Sequence, residues 1–170
     1  LHKNGHQITI WSALEKEIEM LREKHEHKML PGVKLADDVM FTLSEKEAVE
    51  GKDLLVMSVA SSYTRATAKR IAPYVADGQI IVNVAKGVEE HTLLTLCQIV
   101  EEEIPCAKVA VLSGPSHAEE VSVAVPTALV IASKHQNILK LVQDTFMSEK
   151  MRIYTTNDVK GVELGGALKN

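Results

Sequence analysis

Three short segments gather residue types that carry chemistry. Ala85-Lys86-Gly87 sets an ammonium beside a glycine directly after an apolar run at 79–84, and Ser113-Gly114-Pro115-Ser116-His117-Ala118 follows a second run at 108–112. Gly165-Gly166-Ala167-Leu168-Lys169-Asn170 places a second ammonium beside an amide. Two lysines converging in one cleft would repel each other and lose water, lowering an ammonium pKa towards a range useful for proton transfer. A glycine after a strand lets a ligand approach the backbone, and a helix start beyond it offers free N–H donors. Each segment also has an ordinary interpretation, because Gly, Pro and Ser are common in turns and a lysine on a helix face is usually solvated.

Other candidates are weaker. His25-Glu26-His27 has the residue types of a metal pair, yet positions i and i+2 do not share a helix face, so a solvated charged face is expected and no metal site. His117 with Glu119 and Glu120 is either catalytic or a helix start whose acids complement the dipole. No nucleophile-elbow pattern is present.

The elements that must position these residues follow from periodicity. Strand-length apolar runs stand at 6–11, 53–59, 79–84, 108–112, 127–132 and 152–155, with a weaker one at 39–42. Between them, helical spacing occupies 13–27, 44–50, 62–75, 89–102, 135–147 and 158–170. This alternation predicts an α/β fold with a mostly parallel, doubly wound sheet whose strands are covered on both faces. Ligands of such sheets bind outside the carboxyl ends of the strands, where Lys86 and Gly114 fall.

Composition narrows the function classes. The chain has 170 residues, 45% hydrophobic and 25% charged, as ordinary globular domains do. Nineteen basic against 23 acidic residues give a formal charge of −4, so no basic field exists to hold nucleic acid. No apolar stretch is long enough to span a membrane. Two cysteines, Cys97 and Cys106, make neither a disulfide framework nor a zinc site and suit a reducing compartment. Residues 1–6 carry neither an initiator Met nor a secretory signal, as expected of a piece cut from a longer chain.

The motifs, taken together and in order, resemble a known family. Asn4-Gly5-His6 leads into a strand ending at Trp11, and Leu30-Pro31-Gly32-Val33, Ala85-Lys86-Gly87 and Pro126-Thr127-Ala128 follow. The two longest stretches are the most specific: Leu112 to Val121 (LSGPSHAEEV) and Gly161 to Asn170 (GVELGGALKN). They resemble the bacterial NAD(P)-dependent glycerol-3-phosphate dehydrogenases from one end of the chain to the other. That resemblance implies a Rossmann-like fold in which residues 1–157 form a partial dinucleotide-binding domain. Residues 158–170 would begin a helix leading into an all-helical substrate domain outside these residues.

By the same resemblance, the activity is reversible hydride transfer between NAD(P)H and dihydroxyacetone phosphate, giving sn-glycerol 3-phosphate for phospholipids in the cytoplasm. Lys169 would be the proton donor and acceptor, and Lys86 would contact substrate and cofactor. Gly114, Ser116 and Asn170 would line the substrate pocket, and Ala118 would contact the cofactor. Tyr63 would pack near the cofactor, and Ser12 with Ala13 would lie at the adenosine ribose. The partners are this small-molecule substrate and, within the family, a second copy of the chain as a homodimer; nucleic acid and membrane are not expected.

Departures matter as well. The nine glycines contain no G-x-G-x-x-G, so the family's first strand and phosphate loop are missing from these residues, and the 170 residues alone are expected to be inactive with apolar surface bared at the sheet centre. The family's Val-Pro-Ser reads Val59-Ala60-Ser61, and Val123-Ala124 replaces an Arg-Gly. No acid or arginine directly follows Trp11, which leaves NAD and NADP both open. Two alternatives stay in view: a related hydroxyacid dehydrogenase, and a nucleotide-binding module without chemistry.

Overall fold

The computed structural model describes residues 1–169; Asn170, expected to line the substrate pocket, lies outside the described residues. Seven strands form: β1 (Thr9–Trp11), β2 (Met40–Thr42), β3 (Leu54–Met57), β4 (Ile80–Asn83), β5 (Lys108–Ser113), β6 (Thr127–Ala132) and β7 (Met151–Thr156). All coincide with the apolar runs of the sequence. The helices are α1 (Glu15–Lys24), α2 (Glu45–Val49), α3 (Thr64–Ile71), α4 (Leu96–Glu103), α5 (Ala118–Ser122), α6 (Gln136–Phe146) and α7 (Val159–Ala167).

The strands make two sheets. β1 pairs with β2 in parallel, and β3-β4-β5-β6-β7 form the other sheet, parallel throughout except between β5 and β6. The expected single sheet is therefore divided between β1 and β3, where the resemblance sets a further strand. Val56 on β3 is 38% exposed beside that division, an apolar exposure of the kind expected there.

Alternation along the central strands builds the core on both faces. Ile81, Val109 and Val111 pack on one side with Ala68 and Ile71 of α3 and Val100 of α4. Val82, Ala110 and Leu112 pack on the other with Ile138, Leu139 and Val142 of α6. Burying both faces of β4 and β5 makes them the rigid floor under any site at their carboxyl ends.

One element departs from its periodicity. The helix expected over 89–102 starts only at Leu96, because Thr95 caps it in a reciprocal box with Gln98. Residues before it turn back instead: Val88 bridges Thr95, Glu89 N–H donates to Leu94 O at 2.9 Å, and Leu93 takes a left-handed φ of 58°. Leu93, in that turn, is 73% exposed.

Candidate active site

Three walls converge at the carboxyl ends of β4 and β5. The first is the turn after β4. Asn83 is fully buried and braces that turn: its Nδ2 donates to Ala85 O at 3.1 Å, and its Oδ1 accepts from Ala85 N–H at 3.2 Å. The next residue is Lys86. Gly87 then adopts φ 140°, and a Cβ there would lie 2.8 Å from Ser61 Cβ, so the 3-10 turn Ser61–Tyr63 packs directly on it. This close approach brings Tyr63, 65% exposed, to the same rim.

Arg65 of α3 fastens the far end of the loop. Its Nε and Nη2 donate to the two carboxylate oxygens of Glu89 at 2.7 and 2.8 Å, and Nη1 reaches Glu102 at 2.7 Å and also Glu103. The Arg65 guanidinium, with Thr92 second, pulls the Glu89 carboxyl down to about 2.

The second wall follows β5. Gly114 lies so close to β6 that a Cβ would sit 3.0 Å from Ala128 O. The chain then turns tightly, with Ser116 N–H donating to Gly114 O at 2.8 Å, and delivers Ser116 to Lys86. Lys86 Nζ donates to Ser116 O at 3.2 Å and to Ser116 Oγ at 3.4 Å. Ala118 opens α5 beside them and is exposed.

The third wall is α7. Asp158 caps it by accepting from Gly161 N–H at 2.8 Å, and Gly166 packs onto the other two walls. A Cβ on Gly166 would lie 2.6 Å from Ser113 Oγ and 3.5 Å from Lys86 Cγ. Lys169, just past the helix, donates from Nζ to His117 Nε2 at 3.4 Å. Burial first, and the Lys169 charge second, hold the Lys86 ammonium below the ordinary lysine value. Lys86 on Ser116 and Lys169 on His117 thus both stand on the turn that follows Gly114.

Ser12 and Ala13 stand apart, at the end of β1. Ser12 Oγ donates to the Glu17 carboxylate, whose other oxygen meets His27 Nε2 at 2.8 Å. The Ser12 hydroxyl, chiefly, holds the Glu17 carboxyl below its usual range. Glu17 is an acid beyond Trp11 that the sequence did not flag, since α1 begins between them and folds it back. Asn83 and Arg65 were also missed: each is a common residue type without a motif of its own. Ser113 Oγ is buried with no hydrogen-bond partner among the described residues.

The arrangement fits a known family. Residues 1–139 match the model of the NAD-dependent glycerol-3-phosphate dehydrogenase N-terminus. The chain belongs to that family. It is 56% identical over 171 residues to the glycerol-3-phosphate dehydrogenase [NAD(P)+] of Agathobacter rectalis, covering 100% of this chain and 51% of that protein. It is 48% identical over 173 residues to the enzyme of the same name from Fusobacterium nucleatum, covering 100% of this chain and 52% of the relative. The crystal structure of glycerol-3-phosphate dehydrogenase from Coxiella burnetii superposes with a TM-score of 0.91 at 25% identity, over 98% of this chain and 51% of that one. The chain spans about half the length of the curated relatives it matches. The family-model match ends at residue 139, before α7 and Lys169, whereas the alignments to the two relatives cover the whole chain.

Proposed function

We propose that this chain supplies the dinucleotide-side half of an enzyme that interconverts dihydroxyacetone phosphate and sn-glycerol 3-phosphate. The observation that carries the reading is that one turn, at the carboxyl ends of β4 and β5, meets both ammonium groups: Lys86 Nζ on Ser116 and Lys169 Nζ on His117. The residues present suit a nicotinamide cofactor. Exposed Ala118 and Tyr63 leave the rim open on that side, and Lys86 and Lys169 supply two cations to it. A bound NAD(P)H supplies the hydride that adds to the ketone carbon.

The chain's own residues do the rest. As the carbonyl π pair moves to oxygen, Lys169 Nζ gives that oxygen a proton and becomes a neutral amine; the alcohol is formed with no atom unaccounted for. Lys86, already held on Ser116, keeps a positive charge beside the developing oxyanion. Both ammonium groups also draw the anionic phosphate ester into the cleft. Lys86 and Ser116 thus fix the substrate, with Gly114, Ala118 and Tyr63 shaping the cofactor side. Asn170 extends the same segment. Ser12, Ala13 and Glu17 would receive the adenosine ribose, and the Glu17 carboxylate there suits a free 2′-hydroxyl better than a 2′-phosphate.

The test uses the longest natural chain containing these residues. Lys169→Ala should lower turnover of dihydroxyacetone phosphate by about 10²–10⁴-fold, the usual worth of a positioned proton donor. Dinucleotide affinity, measured by fluorescence titration, should stay within about twofold, because the substitution removes a group needed only in the transition state. Wild-type turnover in the variant, or a wild-type enzyme that prefers 2-keto acids, would reject the assignment. The cytoplasm is the expected compartment; among the described residues no helix is long and apolar enough to cross a membrane.

A further inference from the structure

One buried charge takes no part in the chemistry above. Glu163 of α7 is only 6% exposed, and its Oε1 accepts from the backbone N–H of Cys97 at 2.8 Å. Cys97 is the second residue of α4, where N–H groups lack partners within the helix. Thr95 and Gln98 satisfy their own donors in the capping box, so the Cys97 N–H takes its acceptor from another element, 66 residues along the chain. A buried carboxylate is costly unless it is hydrogen-bonded, and the positive end of α4 offsets that cost. Burial first, and the Glu163 carboxylate second, push the Cys97 thiol up, so this sulfur stays protonated and unreactive.

The position of this contact gives it a consequence. On one side, Glu163 precedes Gly166 by three residues and Lys169 by six on the same segment. Three residues is nearly one helical turn, so Glu163 and Gly166 share the buried face of α7, and both are buried. On the other side, Thr95, the cap of α4, bridges Val88, two residues beyond Lys86. The Glu163 contact therefore joins the segment that carries Lys86 to the helix that carries Lys169. Gly166 meanwhile rests against Ser113 and Lys86 with no room for a methyl group, so a small slide or rotation of α7 would disturb Lys86 directly.

We infer that Glu163 is a positioning residue: its hydrogen bond to the α4 N-terminus sets the register of α7 and thereby the placement of Lys169 against Lys86. The inference rests on the two-lysine reading of the site. What Glu163 must provide is an acceptor oxygen at a fixed reach, and the charge is secondary. Gln keeps that oxygen, Ala removes it, and Asp withdraws it by one methylene.

Two measurements on the longest natural chain test this. In steady-state kinetics, Glu163→Ala should lower kcat by roughly 10- to 100-fold, the scale expected when reacting groups move by about an ångström. KM for both substrates should stay within about threefold, and Glu163→Gln should recover most of kcat. In amide exchange, the Glu163→Ala protein should exchange faster than the Gln variant at Cys97 and also at residues 86–88 and 164–169. If Glu163→Ala does not fold, Glu163→Asp is read in its place. Unchanged kcat in the Ala or Asp variant overturns the inference, as does a Gln variant as impaired as Ala. Loss of protection confined to Cys97 does so too, because the contact would then be a local cap. The exchange readout needs no turnover, so a wild-type protein inactive on dihydroxyacetone phosphate would reject the proposed function while leaving this inference decided by exchange.

Discussion

Lys86 is the residue whose environment is most altered in a chemically useful direction. Because burial and the neighbouring Lys169 lower its folded-state pKa below the ordinary 10.5, the unfolded chain holds that proton more tightly. The folded state is therefore penalised at all pH values below the folded-state pKa, and the penalty fades as pH rises towards 10.5. Lys86→Met, which keeps the length and drops the charge, should raise Tm at pH 7. Thermal melts across pH should show that gain shrinking by pH 10; a gain constant with pH would mean that packing, and not charge, is responsible. At the end of β1, Glu17 sets a carboxylate on Ser12 where a phosphate would be repelled. Titration with both dinucleotides should find NAD bound more tightly than NADP by about tenfold, the worth of one like-charge contact of roughly 1.4 kcal/mol. Glu17→Gln should narrow that ratio, and an unchanged ratio would place the discrimination elsewhere.

At the scale of elements, α7 shows how a weak helix former is kept for its smallness. Ala in place of Gly166 would gain about 0.5–1 kcal/mol of helix propensity on an isolated helix. Here its methyl group would meet Ser113 Oγ at 2.6 Å and force α7 away from the sheet. Gly166→Ala should therefore destabilise the protein by about 1–3 kcal/mol, the usual cost of overpacking. Ser113→Ala removes the atom in the way, leaving Ser113 Cβ at 3.7 Å, and also deletes a buried hydroxyl without a partner. Denaturant unfolding of the double variant should recover most of the loss, with Ser113→Ala alone close to neutral. A double variant as unstable as Gly166→Ala would show that the backbone of β5 is the obstacle. The loop before α4 makes a related point: Arg65 and Glu89 hold residues 88–95 in a turn where periodicity alone predicts helix.

For the whole molecule, the division of the sheet predicts uneven stability. β4 and β5 lie in the middle of five strands with both faces buried, whereas β1 and β2 are three residues each and only partly buried. Amides of Ile81, Val82, Val109 and Val111 should exchange only by global unfolding, and those of Thr9–Trp11 by openings of lower free energy. Equal protection in both sheets would show that they unfold as one unit. The central strands β4 and β5 were legible in the sequence because each is a nearly continuous apolar run, and sheets buried on both faces require such runs. The turn at 88–95 was not, because its helical spacing is real and is overridden by the Thr95 cap and the Arg65 clamp.

By itself the sequence determined the fold class, the strand set, the position of Lys86 and the Ser113-to-Ala118 turn at strand ends, and the family those motifs resemble. These are local properties: periodicity, turn chemistry and short motifs are written in neighbouring residues. The tertiary structure decided that Lys86 and Lys169 stand on the same turn, that Glu17 folds back onto Ser12, and that Glu163 ties α7 to α4. Such contacts join residues as far as 66 positions apart, as Cys97 and Glu163 are, or place side chains by a single helix rotation. Neither leaves a mark in spacing, because only the packed sheet fixes which helix faces which strand end.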